Sequence, residues 1–309
     1  MKPRILITGS SGLVGSALKS ALEARRFEVI GLDIQVTGSD YGDVRNINHV
    51  CRAVDRCDGV VHLAAVSRVL WGERDPELCR ATNVGGLRNI IDALHSQKKS
   101  PWLIFASSRE VYGQPKTLPV SEDAQLRPLN IYGHSKVTGE QLVDSAGRIM
   151  GLRASTVRLS NVYGNTDDHA DRVIPAFARG AVMGQPLRVD GAENTFDFTH
   201  IDDTTRGLDV LVEHMMNGGD ALPPIHFLTG RPTSLQQLAE MAIDIADTNS
   251  EILHAPPRSY DVAKFYGDPT RAHEFLGWSP QVTLREGLTR LINDFRDELN
   301  TADAQAMSL

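Results

Sequence analysis

A short apolar run at residues 4–8 passes directly into Thr8-Gly9-Ser10-Ser11-Gly12-Leu13-Val14-Gly15, and a helical pattern opens at Leu13. A strand, a glycine turn and a helix in that order admit few folds. Glycines at 9, 12 and 15 allow a tight turn, a close backbone approach to a pyrophosphate and close packing of helix on strand. The helix N-terminus adds unpaired N–H groups and the positive end of its dipole. The spacing is G-x-x-G-x-x-G rather than G-x-G-x-x-G, so the triplet takes its meaning from the strand before it and the helix after it. Gly9, Gly12, Leu13, Val14 and Gly15 are expected to hold a dinucleotide.

The same rhythm continues. Helical patterns over 13–26, 47–55, 76–96 and 131–148 alternate with strand-like runs at 27–33, 59–63, 102–106 and 154–159. Alternation of this kind implies βαβ units, a parallel sheet and right-handed crossovers. The expected fold class is α/β, a doubly wound Rossmann sheet with a smaller C-terminal α/β lobe. The rhythm breaks near Gly164, which places the first domain at 1–164 and the lobe mainly at 165–309, with 196–228 returning to the first. The lobe carries a helix at 173–183, short strands at 187–189 and 196–200, a helix at 202–216 and scattered prolines.

With 32 basic and 39 acidic residues the net charge is −7, which argues against a broad nucleic-acid surface. Cys51, Cys57 and Cys79 lack metal-site spacing and read as buried or partly buried free thiols of a reducing compartment; no metal site is expected. No apolar run reaches the roughly 18 to 20 residues of a membrane helix. The apolar run after Met1-Lys2-Pro3-Arg4 is too short for a signal peptide, so a cytoplasmic chain is expected.

Asp33 stands at the end of the second strand, 18 residues after Gly15. A carboxylate there can accept from both ribose hydroxyls and would repel a 2′-phosphate, which favours NAD over NADP. Asp43 and Val44 follow within reach of the adenine edge, although Asp43 also reads as an ordinary turn residue.

Tyr132 and Lys136 share a helix face at i, i+4. A tyrosine serving as a base near neutrality must fall by roughly 3 units from about 10, and a lysine ammonium with a nicotinamide cation can provide that. Ser108 closes the strand beginning at Trp102, at the rim where open α/β sheets bind ligands, and can donate to the oxygen that Tyr132 deprotonates.

In these motifs the sequence resembles the extended short-chain dehydrogenase/reductase superfamily, in its nucleotide-sugar epimerase/dehydratase branch. The resemblance covers the glycine loop, His62-Leu63-Ala64-Ala65, Thr82-Asn83-Val84-Gly85-Gly86, Ser107 to Gly113 and Tyr132-Gly133-His134-Ser135-Lys136. It continues through Arg158 to Gly164, His200-Ile201-Asp202-Asp203 and Leu276-Gly277-Trp278-Ser279-Pro280. It implies that Tyr132 is the acid/base on a sugar hydroxyl, that Lys136 holds the nicotinamide ribose and that Ser108 polarises the sugar oxygen. It also implies cofactor contacts at Leu63, Ala64, Ala65 and Asn83, and nucleotide-sugar contacts at Ser67, Ser108, Asn161, Arg188 and Arg258. A homodimer through the helices holding 77–97 and 131–148 is implied by the resemblance alone.

Two departures stand out. Phe196 occupies the place of a second diphosphate arginine, for which Arg188 or Arg68 is a candidate substitute. The segment Val69-Leu70-Trp71-Gly72 is less polar than usual, with Trp71 read either as sugar-pocket lining or as core. Glu110 would suit C5 proton abstraction in a dehydratase, while Arg109 interrupts the Asp-Glu pair some dehydratases use; Glu110 pairing with Arg109 is the structural alternative.

The expected function is 4-epimerisation of a nucleotide-diphosphate sugar by transient C4 oxidation with recycled NAD. The alternatives are a dehydratase using Glu110, a dehydrogenase or ketoreductase of a smaller sugar, and a non-enzymatic NAD sensor.

Overall fold

The computed structural model describes residues 2–258 and 262–306. The first strand, β1 (Arg4–Thr8), is buried from Ile5 onward, and α1 (Leu13–Glu23) follows the glycine turn. Next come β2 (Glu28–Leu32), α2 (Ile47–Val54), β3 (Gly59–His62), α3 (Val69–Arg74) and α4 (Pro76–Arg80). A π-helical turn at Ala81–Gly85 leads into α5 (Gly86–His95), then β4 (Trp102–Ser108), a 3₁₀ turn at Arg109–Tyr112, α6 (Ile131–Met150) and β5 (Ala154–Leu159). The remainder is β6 (Asn161–Tyr163), α7 (Val173–Val182), β7 (Leu187–Asp190), β8 (Thr195–His200), α8 (Ile201–Met216), β9 (Ile225–Phe227), β10 (Pro232–Ser234), α9 (Leu235–Ala246), β11 (Ile252–Ala255), α10 (Thr270–Leu276) and α11 (Leu284–Ala306).

Six parallel strands form the main sheet in the order β2-β1-β3-β4-β5-β9. Successive side chains of a strand point to opposite faces, and β1 shows the consequence. Ile5 and Ile7 join a core with Leu18 of α1, Leu208 and Leu211 of α8, and Trp278. Leu6 joins the opposite core with Val50 of α2, Leu87 and Ile90 of α5, and Val143 of α6. Helices on both faces of a parallel sheet are the doubly wound Rossmann arrangement.

A third core lies outside this sheet. There α7, α9 and α11 pack on β7 and β8 through Phe177, Val189, Phe198, Leu238 and Leu288. Two small sheets support it, β10-β8-β6 and β11-β7.

The structure redraws some local expectations. The pattern at 76–96 predicts one helix, but the wide turn at Ala81–Gly85 interrupts it. π turns recur at functional sites, and this one buries Asn83 at 2 % exposure. Residues 196–200 were expected to return to the first domain; they pair instead with β6 and β10, whereas α8 and β9 do rejoin the main sheet's core. Residues 161–163, inside the expected boundary at 164, likewise belong to the small sheet as β6. Cys57 and Cys79 are buried, but Cys51 sits on the solvent side of α2 and is exposed.

Candidate active site

The C-terminal ends of β4 and β5 open onto a cavity of about 760 Å³, lined also by Val14 of α1 and by Leu63 just past β3. This is the rim where parallel sheets bind ligands. On its far side the cavity meets α7 and the end of β7.

The glycine loop is shaped for a dinucleotide. Gly9 takes φ +70°, and a Cβ there would lie 2.8 Å from the Ala64 nitrogen. A Cβ on Gly15 would lie 2.0 Å from the Gly9 carbonyl oxygen, so helix and turn meet only because a side chain is missing. Among the described residues no side chain caps the N-terminus of α1, and its first turn holds no acid. Its N–H groups are thus left for an anion. Asp33, buried at the tip of β2, accepts from the backbone N–H of Ser11 (3.0 Å) and of Gln35 (2.9 Å). Each carboxylate oxygen keeps a lone pair for a ribose hydroxyl. These residues fit NAD. Asp33→Ala is expected to weaken NAD binding about 10-fold or more, the worth of a hydrogen bond to a charged group. Calorimetric titration checks this, and an unchanged Kd would make Asp33 a turn residue only.

Other expected cofactor contacts fall differently. The Asp43 carboxylate is held by the Arg45 guanidinium (2.6 Å), which keeps it below the usual carboxylate range. Val44 is buried, and its carbonyl accepts from Asn89 (2.9 Å). Ala64 donates its N–H to the Thr8 hydroxyl at 3.2 Å, and Leu63 and Ala65 line the cavity. Asn83 braces the loop after β3. Its Oδ1 accepts from the Val66 N–H (2.7 Å), and its Nδ2 donates to Ser135 Oγ (2.9 Å).

Ser108, Tyr132 and Lys136 converge in the cavity. Ser108 is the last residue of β4, while Asn130 caps α6 by accepting from the Gly133 N–H (2.8 Å), which sets Tyr132 in the first turn. The Ser108 hydroxyl accepts from the Glu110 N–H (3.2 Å) and is near enough to Tyr132 to favour its phenolate. Lys136 Nζ donates to the Ala106 carbonyl (2.7 Å) and lies 5.7 Å from the Tyr132 ring centre. Burial pushes the Tyr132 phenol up to about 12, opposed by the Ser108 hydroxyl and reinforced by Glu110. Burial also brings Lys136 down to about 8. The expected downward pull of Lys136 on Tyr132 is thus overridden by desolvation in the protein alone. At neutral pH this tyrosine is a proton donor until another positive charge arrives.

Glu110 lines the same cavity with both oxygens engaged. Oε1 pairs with Arg109 Nη2 and Oε2 accepts from Asn130 Nδ2, each at 2.9 Å. Arg109 lies with its guanidinium 4.7 Å from the ring centre of Phe196. Position 196 therefore faces a cation after all, brought from another element.

At the opposite end Asp190 joins two expected substrate residues. Arg188 Nε donates to Oδ1 (2.8 Å), and Arg258 Nε and Nη2 donate to Oδ2 (3.0 and 2.9 Å). Burial raises the Asp190 carboxyl, but the two guanidinium groups outweigh it and hold it low. Ser67 and Asn161 also line the cavity, and Asn161 Nδ2 donates to the Asp197 carbonyl (3.1 Å). Arg68 lines it too, paired with Asp171. Trp71 is neither core nor cavity lining. It is 38 % exposed, with Arg68 over its ring and His169 against its edge.

Beneath the site lies a buried polar chain that local patterns in the sequence do not reveal. Arg158 on β5 donates from Nε (2.9 Å) and Nη2 (2.6 Å) to Glu140 on α6, and from Nη1 to Tyr112 Oη (2.6 Å) and the Glu122 carbonyl (2.7 Å). Ser107 donates to the same Glu140. Tyr112 then donates to His226 Nε2 (2.6 Å), and burial holds that imidazole neutral, at about 3. Burial opposes the Arg158 charge, but Glu140 and Tyr112 outweigh it and raise its pKa. Among the described residues no cluster of three or more His, Cys, Asp or Glu could hold a metal, and no helix is long and apolar enough to cross a membrane.

Comparison with known proteins agrees with this geometry. Residues 5–222 match the model of the NAD dependent epimerase/dehydratase family. A putative UDP-glucose 4-epimerase of Methanocaldococcus jannaschii is 28 % identical over 315 residues, covering 96 % of this chain and all of the relative. UDP-glucuronic acid decarboxylase 5 of Arabidopsis thaliana is 30 % identical over 313 residues, covering 95 % of this chain and 89 % of the relative. The crystal structure of UDP-glucose 4-epimerase from Thermotoga maritima with UDP-glucose superposes with a TM-score of 0.89 at 28 % identity, covering 96 % of this chain and 99 % of the other.

Proposed function

The chain belongs to the NAD dependent epimerase/dehydratase family, and from that premise we propose that it inverts C4 of a nucleotide-diphosphate sugar by transient oxidation. The observation that carries this reading is the convergence of Ser108, Tyr132 and Lys136 on one cavity that Arg188 and Arg258 also line. The spacing of a reactive hydroxyl from a diphosphate asks for a site of this form.

NAD, when bound, supplies a reversible two-electron acceptor for the hydrogen at C4. Lys136 spends one N–H on Ala106 and keeps two others, enough to reach a ribose hydroxyl. Its charge and that of the cofactor draw down the raised Tyr132 phenol. Tyr132 then takes the O4 proton as C4 is oxidised and returns it afterwards, with Ser108 holding O4 throughout. Inversion requires the keto sugar to turn its other face while the diphosphate stays held. The guanidinium pair fixed by Asp190 provides that pivot.

Arg109 and Asn130 hold the Glu110 carboxylate from either side, which supports reading Glu110 as the partner of Arg109 over its use as a C5 base. A homodimer through α4, α5 and α6 forms part of the proposal and rests on family resemblance.

Incubation with NAD and UDP-, dTDP- and GDP-sugars, followed by mass spectrometry and NMR, tests the reading. A product of unchanged mass inverted at C4 is expected. Loss of water would make the protein a dehydratase and Glu110 its proton acceptor. Net NADH release would indicate a dehydrogenase, and no turnover of any nucleotide sugar would defeat the proposal.

A further inference from the structure

We propose that Arg109 is a specificity-determining residue that reads a carboxylate on the sugar ring, so that the preferred substrate is an acidic nucleotide sugar. The inference rests on the nucleotide-sugar reading above and goes beyond it in naming the sugar class.

Four observations converge on this side chain. Arg109 directly follows Ser108, so its charge is delivered to the sugar end of the cavity it lines. Its guanidinium is oriented in advance, with one edge on Glu110, itself held by Asn130, and its faces near Phe196 (4.7 Å) and Phe265 (5.8 Å). It is 12 % exposed. Its Nη1 is buried with no hydrogen-bond partner, and among the described residues no other Arg or Lys nitrogen shares that condition.

A buried guanidinium nitrogen without an acceptor is costly, and in a binding cavity it marks a bond the ligand completes. The other cavity arginines are already committed at its rim and far end: Arg68 to Asp171, Arg172 to Asp168, Arg188 and Arg258 to Asp190. The last two suit a diphosphate and leave Arg109 for a group on the sugar. A neutral hydroxymethyl would offer Nη1 a weak acceptor. A carboxylate offers a charge-assisted bond in a desolvated wall, the stronger match.

The test is calorimetric, on the NAD-loaded full chain. UDP, dTDP and GDP are titrated first to identify the base, and the glucose and glucuronate conjugates on that base are then compared. Glucuronate is expected to bind at least about 10-fold more tightly than glucose. Arg109→Gln should weaken the glucuronate conjugate about 100-fold, leave the glucose conjugate and the bare diphosphate unchanged, and be partly rescued by Arg109→Lys. An unchanged NAD affinity reports that the variants fold. Glucose binding as tightly as glucuronate in the wild type overturns the proposal without any variant. Equal loss for all three ligands in Arg109→Gln overturns it too, by assigning the cation to the diphosphate. If no nucleoside diphosphate binds, the nucleotide-sugar reading itself falls, an outcome distinct from the other two.

Discussion

Tyr132→Phe is expected to lower kcat by about 10³-fold while leaving NAD affinity unchanged. The substitution removes one oxygen and no apolar contact, so the buried ring still packs at the start of α6. It removes the hydroxyl that shares the cavity with Ser108 and Lys136. Loss of a positioned acid/base costs roughly 10²- to 10⁴-fold, and this residue acts twice in each turnover, which favours the upper part of that range. A second readout is spectroscopic. Burial places this phenol at about 12 in the cofactor-free protein. The difference between wild type and Tyr132→Phe should therefore show no tyrosinate absorbance up to about pH 10, where an ordinary tyrosine is half ionised. With NAD bound the transition should move to lower pH. A variant retaining more than a tenth of the wild-type rate would remove Tyr132 from the mechanism.

Glu140→Gln should be the most destabilising of the conservative changes. Glu140 is 8 % exposed and accepts from Ser107 and twice from Arg158, which is 4 % exposed. The amide keeps one acceptor but turns an N–H₂ group toward a buried guanidinium and strips its counter-charge. Breaking a buried pair on one side costs about 3–5 kcal/mol, or a fall in Tm of roughly 10 °C for a chain of this size. Thermal and urea denaturation measure it. A loss below about 1 kcal/mol would mean that the Arg158 charge is satisfied without Glu140. The pair ties β5 to α6, and Ser107 ties β4 to the same carboxylate. The surviving folded protein should therefore also lose rate, because these elements hold Ser108 and Tyr132.

The parts of this molecule legible from sequence are those whose physics is local. The glycine turn, Asp33 at a strand end and the i, i+4 pair of Tyr132 and Lys136 are set by neighbours within a few residues or by one strand–helix step. The alternation of strand and helix periods likewise announces a parallel sheet. Contacts between distant segments were not legible. Arg109 meets Phe196 across 87 residues of chain, and Asp190 gathers Arg188 from its own strand and Arg258 from the segment after β11. Arg258, taken alone in sequence, reads as a solvated loop residue. The raised Tyr132 pKa was invisible for the same reason, since it depends on how much water the completed fold removes. The π turn at Ala81–Gly85 escaped because a run of helix-compatible residues carries no mark of where the pitch widens.

The position of β9 has a consequence for the order in which the chain is made. This strand completes the main sheet by pairing with β5, yet Ile225 lies 66 residues beyond Leu159. Trp278, which closes one face of that core, comes later still. At a synthesis rate of about 5–20 residues per second, β5 waits several seconds or longer on the ribosome with an unpaired edge and an uncovered apolar face. During that interval the nascent chain presents a strand edge open to pairing with another chain. A holding chaperone, or early capture of NAD by the glycine loop already made, would act within that window.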